Sequence, residues 1–232
     1  MQTAVNQKSS LAQFTSYVYG WVALGLLLTI GVSMFTLSTG LMVKLGMGGL
    51  IFLCLAELGL VIWFSAVIQT ASIPMLASVY LTYSVLNGIT LPAILMHYTS
   101  ASIVGTFMAC LATFTLMSVY GLTTRKDLSG LGPYLFMALM GLIVTYLIDI
   151  VCAMMGFSFL TGPMDLIVAG IGVMIFVGFT AYDSQRIKTT FQMVPANGDS
   201  WLRHTLCLGL SMYLNFINLF IHLLQFFGES DD

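Results

Sequence analysis

Five polar side chains recur along the last apolar stretch of the chain: Ser211, Asn215, Asn218, His222 and Gln225, spaced 4, 3, 4 and 3 residues apart. At about 3.6 residues per turn, this spacing puts all five on one face of a helix. The positions between them are almost all Leu, Ile, Phe, Met, Tyr or small residues. Such a polar face cannot be turned toward lipid without a large cost. Two uses stay open for it: interhelical hydrogen bonds that hold the helix to its neighbours, or one wall of a polar passage. An unbroken row of five favours the passage. His222 adds a group whose ordinary titration falls near neutrality.

The preceding apolar stretch carries Asp183 about one turn from its end, followed by Gln185, Arg186 and Lys188. Asp183 can be read as a helix-end charge reaching toward water and pairing with Arg186 or Lys188. It can equally be read as a buried cation or proton contact, met by Asn215 at a similar depth on the next helix. Glu57 lies about halfway along the second stretch and Asp149 in the second half of the fifth. Ionisable groups at such depths mark a cavity, a pathway or a pair. Asp165 stands at the start of the sixth stretch, where an acid complements the helix dipole. His97 falls at a stretch end and His204 in a connecting segment, so both are expected to be solvated.

Cys54, Cys110, Cys152 and Cys207 sit in apolar runs without a CxxC spacing and are expected to be small buried hydrophobes. No HExxH, GxSxG or phosphate-binding glycine pattern occurs, and no nucleophile–base pair can be assigned, so an enzyme is not expected. Gly170, Gly172 and Gly178 are expected to let helices pack closely.

These side chains need a scaffold, and the composition defines it. The 232 residues hold 7 Lys and Arg and 9 Asp and Glu, charged residues make up 7% and apolar residues 59%, and mean hydropathy is +0.99. A water-soluble surface cannot be covered with so few charges. Seven basic residues and a pI near 5.8 exclude a nucleic-acid interface, and the lack of charge excludes disorder and a coiled coil. A bilayer core needs about 20 apolar residues per helix. Such runs fall near 15–38, 47–69, 73–96, 100–122, 131–155, 164–187 and 205–228, and the segment 188–204, with its Pro, Asn-Gly and charges, is expected to be a solvated loop. The runs are continuous, which excludes a β-barrel and predicts a single all-α membrane domain of seven transmembrane helices over 1–232. The first run is too long for the apolar core of a signal peptide and is expected to remain as a span. Lys8, Arg125, Lys126, Arg186, Lys188 and Arg203 fall on one side of this arrangement and Lys44 alone on the other. That bias predicts a cytoplasmic N-terminus and an outward C-terminus carrying Glu229, Asp231 and Asp232.

Two segments carry a resemblance. Thr180-Ala181-Tyr182-Asp183-Ser184-Gln185-Arg186-Ile187-Lys188 and Leu210-Ser211-Met212-Tyr213-Leu214-Asn215-Phe216-Ile217-Asn218-Leu219-Phe220 resemble the Bax inhibitor-1 family, also called transmembrane Bax inhibitor motif proteins, and in particular its bacterial inner-membrane members. Further likeness runs through Tyr17-Val18-Tyr19-Gly20-Trp21 and from Tyr120-Gly121 to Gly130. The resemblance implies seven helices with the last one central and enclosed by the other six. It also implies a pH-sensitive calcium leak governed by two facing aspartates. Asp183 matches the first of these, whereas Asn215 stands at the second, and Gln69 and Thr70 stand where the family has a basic latch.

One carboxylate and one amide make a poor calcium site, because calcium takes 6–8 oxygens and favours several carboxylates. No cofactor is expected beyond a weakly held calcium at Asp183 and Asn215. The leading expectation is an ion-permeation protein with Asp183 as gate, Asn215 as its partner, and Glu57 and Asp149 adding charge to the route. Passage of protons or a small solute along the same stripe is the second. The third is a regulatory protein that binds a membrane protease or stress-response partner through its N-terminus or the 188–204 segment.

Overall fold

The computed structural model describes residues 2–194 and 198–229, with the side chains of residues 2–10 and 43 outside the description. The side chain of Lys8, the Pro195–Asn197 part of the expected loop, and Asp231 and Asp232 of the tail therefore lie outside the described residues. The chain forms α1 (Gln2–Thr39), α2 (Leu41–Val67), α3 (Ile73–Thr90), α4 (Pro92–Leu95), α5 (Ser100–Thr123), α6 (Leu131–Met154), α7 (Pro163–Met193) and α8 (Asp199–Phe227). Among the described residues, seven helices are long and apolar enough to cross a membrane, the third of them joining α3 and α4. The protein is thus all-α, with seven membrane-spanning helices.

Helix ends follow local chemistry. Gly46 breaks α2 with a left-handed φ of 61°, so its continuous part begins near the expected start of the second span. Thr99 caps α5 by accepting the Ser102 N–H at 3.2 Å. Two sequence readings are corrected. Residues 188–193 continue α7 and residues 199–204 already belong to α8, so 188–204 is not one loop and His204 is helical. The physical reason is aromatic packing: Phe191 and Trp201 both stack on Phe14, at 5.8 and 5.4 Å between ring centroids, and this burial outweighs the polar composition. Cys54 is exposed on α2 rather than buried, Cys110 is buried, and Cys152 and Cys207 are intermediate. An apolar thiol is as compatible with lipid as with a core.

The chain divides into two compact units. The first comprises residues up to 97 together with 189–213. In it, α1 and α3 run parallel. Tyr80 donates its hydroxyl proton to the Trp21 carbonyl at 2.7 Å, Thr29 donates to the Ser84 carbonyl at 3.0 Å, and Gly88 abuts Val32 and the Thr29 carbonyl. The Thr29 proton being committed to Ser84, Tyr213 donates to the Thr29 oxygen at 2.6 Å. Tyr213 also meets Tyr80 and Tyr83 edge to face. Arg203 binds the Ile68 carbonyl and so ties α8 to the end of α2.

The second unit comprises 98–188 and, among the described residues, 214–229. Small residues set its helix spacing: Gly121 lies against the Ala181 carbonyl and Ser184, Gly132 against Tyr182, and Gly178 against Leu135. Phe107 and Phe114 enclose Phe216 of α8 edge to face. The loop after α5 is tied to α7 by Gln185, whose oxygen accepts the Leu128 N–H and whose amide donates to the Lys126 carbonyl, both at 2.7 Å. Of the seven spans α8 is the most buried, with 72% of its most apolar window shielded against 6% for α2 and for α6.

Candidate functional site

Asp183 is 2% exposed within the second unit, and its two carboxylate oxygens have different partners. Oδ2 accepts the side-chain amide of Asn215 at 2.8 Å, and Oδ1 accepts Arg186 at 3.0 Å. Residues three apart on a helix share a face, which places Arg186 over its own helix's aspartate. The two ends of that pair differ: the Arg186 side chain is 44% exposed and that of Asp183 is 3% exposed. Arg186 therefore keeps one side hydrated while its guanidinium, 5.7 Å from the centre of the Tyr182 ring, compensates a buried charge. The helix-end alternative is half right, since the pair with Arg186 exists but Asp183 does not reach toward water. Lys188 goes elsewhere, donating to the Thr124 carbonyl at 3.2 Å.

Asn215 is 5% exposed and presents its NH2 group to Asp183. As placed, it is a hydrogen-bond donor to the carboxylate, and the carboxylate is neutralised by its own chain. The arrangement can hold a negative charge in a buried position.

Farther along α8, the row divides by function. Asn218 donates to the Leu214 carbonyl of its own helix at 2.8 Å. His222, 4% exposed, has Nδ1 at 2.7 Å from the Asn218 carbonyl. A carbonyl only accepts, so the proton is on Nδ1, and in the neutral ring Nε2 is left as an acceptor. The Tyr146 hydroxyl stands 3.3 Å from that nitrogen and also 3.3 Å from the Gln225 side-chain oxygen. Phe176 flanks the imidazole, and Gly172 leaves room for it.

Asp149 is engaged with the segment after α6: one carboxylate oxygen accepts Ser158 Oγ at 2.7 Å and the Phe159 and Leu160 N–H groups at 3.1 Å. Asp165 lies in the first turn of α7, as helix-dipole chemistry expects. Glu57 and Ser211 belong to the first unit, where Glu57 accepts the Thr90 hydroxyl at 2.7 Å. Sequence reading missed Tyr146, Thr90 and Ser118. Ser118, 5% exposed on α5 one turn before Gly121, has a hydroxyl without a hydrogen-bond partner. Only polarity inside an apolar run could have flagged these residues, and each is individually commonplace.

Seven apolar helices, two of them joined by a buried carboxylate–amide contact, define a multi-pass membrane protein with a charged centre. The chain belongs to the family described as inhibitor of apoptosis-promoting Bax1, whose model matches residues 11–232. It is 39% identical over 229 residues to the inner membrane protein YbhL of Escherichia coli (strain K12), covering 97% of this chain and 95% of YbhL. It is 36% identical to a protein of Borreliella burgdorferi, over 94% of this chain and 92% of that one. A protein of Deinococcus radiodurans is 35% identical, over 100% of this chain and 97% of its own length.

Proposed function

We propose that this protein is an ion-permeation protein of the bacterial inner membrane, a pH-sensitive calcium leak controlled at Asp183 and the polar face of α8. The observation that carries this reading is a carboxylate 2% exposed that is shared between a fixed guanidinium and the amide of a neighbouring helix. A buried charge held by one removable cation suits a gate: Arg186 occupies the place a permeating cation would take. The inner-membrane location rests on the relative YbhL, which is named as an inner membrane protein. The bias of the basic residues supports a cytoplasmic N-terminus and an outward C-terminus. The family's enclosed last helix is part of the same reading, and α8 would line the route with Asn218, His222 and Gln225. Ser211 and Glu57 belong to the first unit and are not part of this route.

With Asn215 in place of a second aspartate, Asp183 has no like-charged neighbour on α8. Calcium binding is then weaker and pH response different from an Asp–Asp pair, whose two groups titrate as a unit. The test is calcium entry into proteoliposomes over the neutral to mildly acidic range, comparing the parent with Asp183→Asn and Asn215→Asp. Flux in the parent that Asp183→Asn removes supports the reading. An Asn215→Asp protein with unaltered calcium affinity and pH dependence contradicts the role given to Asn215, and silence in all three contradicts the leak.

Proton passage is favoured by one observation, the contact of Tyr146 with both His222 and Gln225. A neutral imidazole with one donor and one acceptor nitrogen is suited to proton transfer. Proton flux that His222→Gln reduces while calcium flux is unchanged would select this second reading.

A further inference from the structure

The first unit contains an oxygen-rich cluster of side chains of its own. Glu57 of α2 accepts the Thr90 hydroxyl at 2.7 Å, and Asn87 lies beside both Glu57 and Tyr83. Asn87 is 6% exposed and its side-chain oxygen has no hydrogen-bond partner. An unpaired buried carbonyl is costly, so a group that would occupy it is called for. The same defect recurs on α1. Thr29, Ser33 and Thr36 share one face by their spacing, and Thr29 and Val32 touch α3 at Ser84 and Gly88. Because α1 and α3 run parallel, Ser33 and Thr36 stand roughly level with the 87–92 turn of α3. They are 5% and 0% exposed, and both hydroxyls lack a partner. The backbone stays helical through Leu91 (φ −52°, ψ −40°) from α3 into α4, but Pro92 has no N–H to serve the Gly88 carbonyl, which adds one more oxygen at this level.

We infer that this cluster binds a small monovalent cation, with Glu57 supplying the charge and Asn87 and Thr90 neutral oxygens, and with Ser33 and Thr36 on the facing side of α1. The groups that interact with Glu57 among the described residues include Cys54, Tyr83, Asn87, Thr90 and Tyr213, and none of these is cationic. One carboxylate in a low-dielectric setting balances one positive charge, whereas a divalent ion favours several carboxylates. Hydroxyl and amide oxygens complete the shell without adding charge. This site is separate from Asp183 and does not depend on the function proposed for it.

The test is thermal unfolding of the purified full-length protein in detergent at alkaline pH, in sodium chloride against choline chloride at equal ionic strength. Sodium is expected to raise the midpoint by about 2–4 °C. Glu57→Gln and Asn87→Leu should abolish the rise, and Asp183→Asn should retain it. Should either cluster variant fail to fold, Thr36→Val, which keeps the volume and removes one oxygen, should fold and show a smaller rise. Equal midpoints in sodium and choline overturn the inference. So does a response to calcium alone, a sodium response that Asp183→Asn removes, or stabilisation by acid without sodium, which would assign a proton to Glu57.

Discussion

Asp183 is held from two sides by groups of different kinds, and the difference predicts how each variant behaves. Arg186 provides a full charge from a half-exposed position, while Asn215 provides a neutral donor from a buried one. Removing Arg186 leaves a buried carboxylate without its guanidinium partner. For Arg186→Gln we expect a loss of about 1–3 kcal/mol, below the figure for a fully buried pair because the guanidinium is partly hydrated. If the guanidinium holds the place of a permeating cation, calcium entry rises in the same variant. Thermal unfolding together with proteoliposome flux checks both, and a stable variant with parental flux would refute the tethered-cation role. The sequence made the meeting of Asp183 and Asn215 legible, because both lie on polar positions of adjoining apolar helices. It could not say which atom of Asn215 faces the carboxylate, nor that Lys188 would leave the pair for the Thr124 carbonyl at 3.2 Å. Those choices depend on where the loop after α5 passes, a tertiary fact that no local pattern encodes.

Between helices, spacing rests on a few hydrogen-sized gaps. A Cβ on Gly172 would be driven into the His222 ring, and one on Gly121 into the Ala181 carbonyl, whereas Gly141 has nothing within 4 Å. Gly172→Ala and Gly121→Ala are therefore expected to destabilise by about 1–3 kcal/mol through overpacking. Gly141→Ala should be neutral or stabilising by up to about 1 kcal/mol, from helix propensity alone. Unfolding midpoints of the three variants decide, and equal losses at all three positions would contradict the packing explanation. At the loop after α5, the Ser129 N–H binds Asp127 Oδ1 at 2.9 Å and holds its carboxyl below the usual aspartate range. A depressed pKa gives stabilisation that is present above the ordinary value and lost as pH falls through the lower one. Amide exchange at Ser129 should thus accelerate only below about pH 4, and Asp127→Asn should remove that step. The helices themselves were legible wherever apolar runs were unbroken. The ends of α7 and α8 were not, because Phe191 and Trp201 are too isolated among polar neighbours to signal that they pack on Phe14.

At the scale of the molecule, few charges must do all the orienting. The chain has 7 basic residues in all. With an odd number of spans the termini lie on opposite sides, and Arg125 and Lys126 share a side with Arg186, Lys188 and Arg203. Retaining that group in the cytoplasm is the favoured insertion. Two segments report on it without touching Asp183: the one after α5, where Ser129 lies, and the one after α6, where Phe157 is 56% exposed. With single cysteines introduced as Ser129→Cys and Phe157→Cys, a membrane-impermeant maleimide applied to intact spheroplasts should label the second. The first should react only after the membrane is opened. The native cysteines supply the background, since the parent measured alongside gives their own labelling. The opposite pattern would put five basic residues outside and turn the Arg186 end of the Asp183 pair away from the cytoplasm. The half-hydrated guanidinium would then meet external rather than internal solution, and in the proposed leak any acidity acting on the gate would be that of the outside medium. Labelling thus fixes the side from which the proposed gate would be reached, which flux measurements alone leave open.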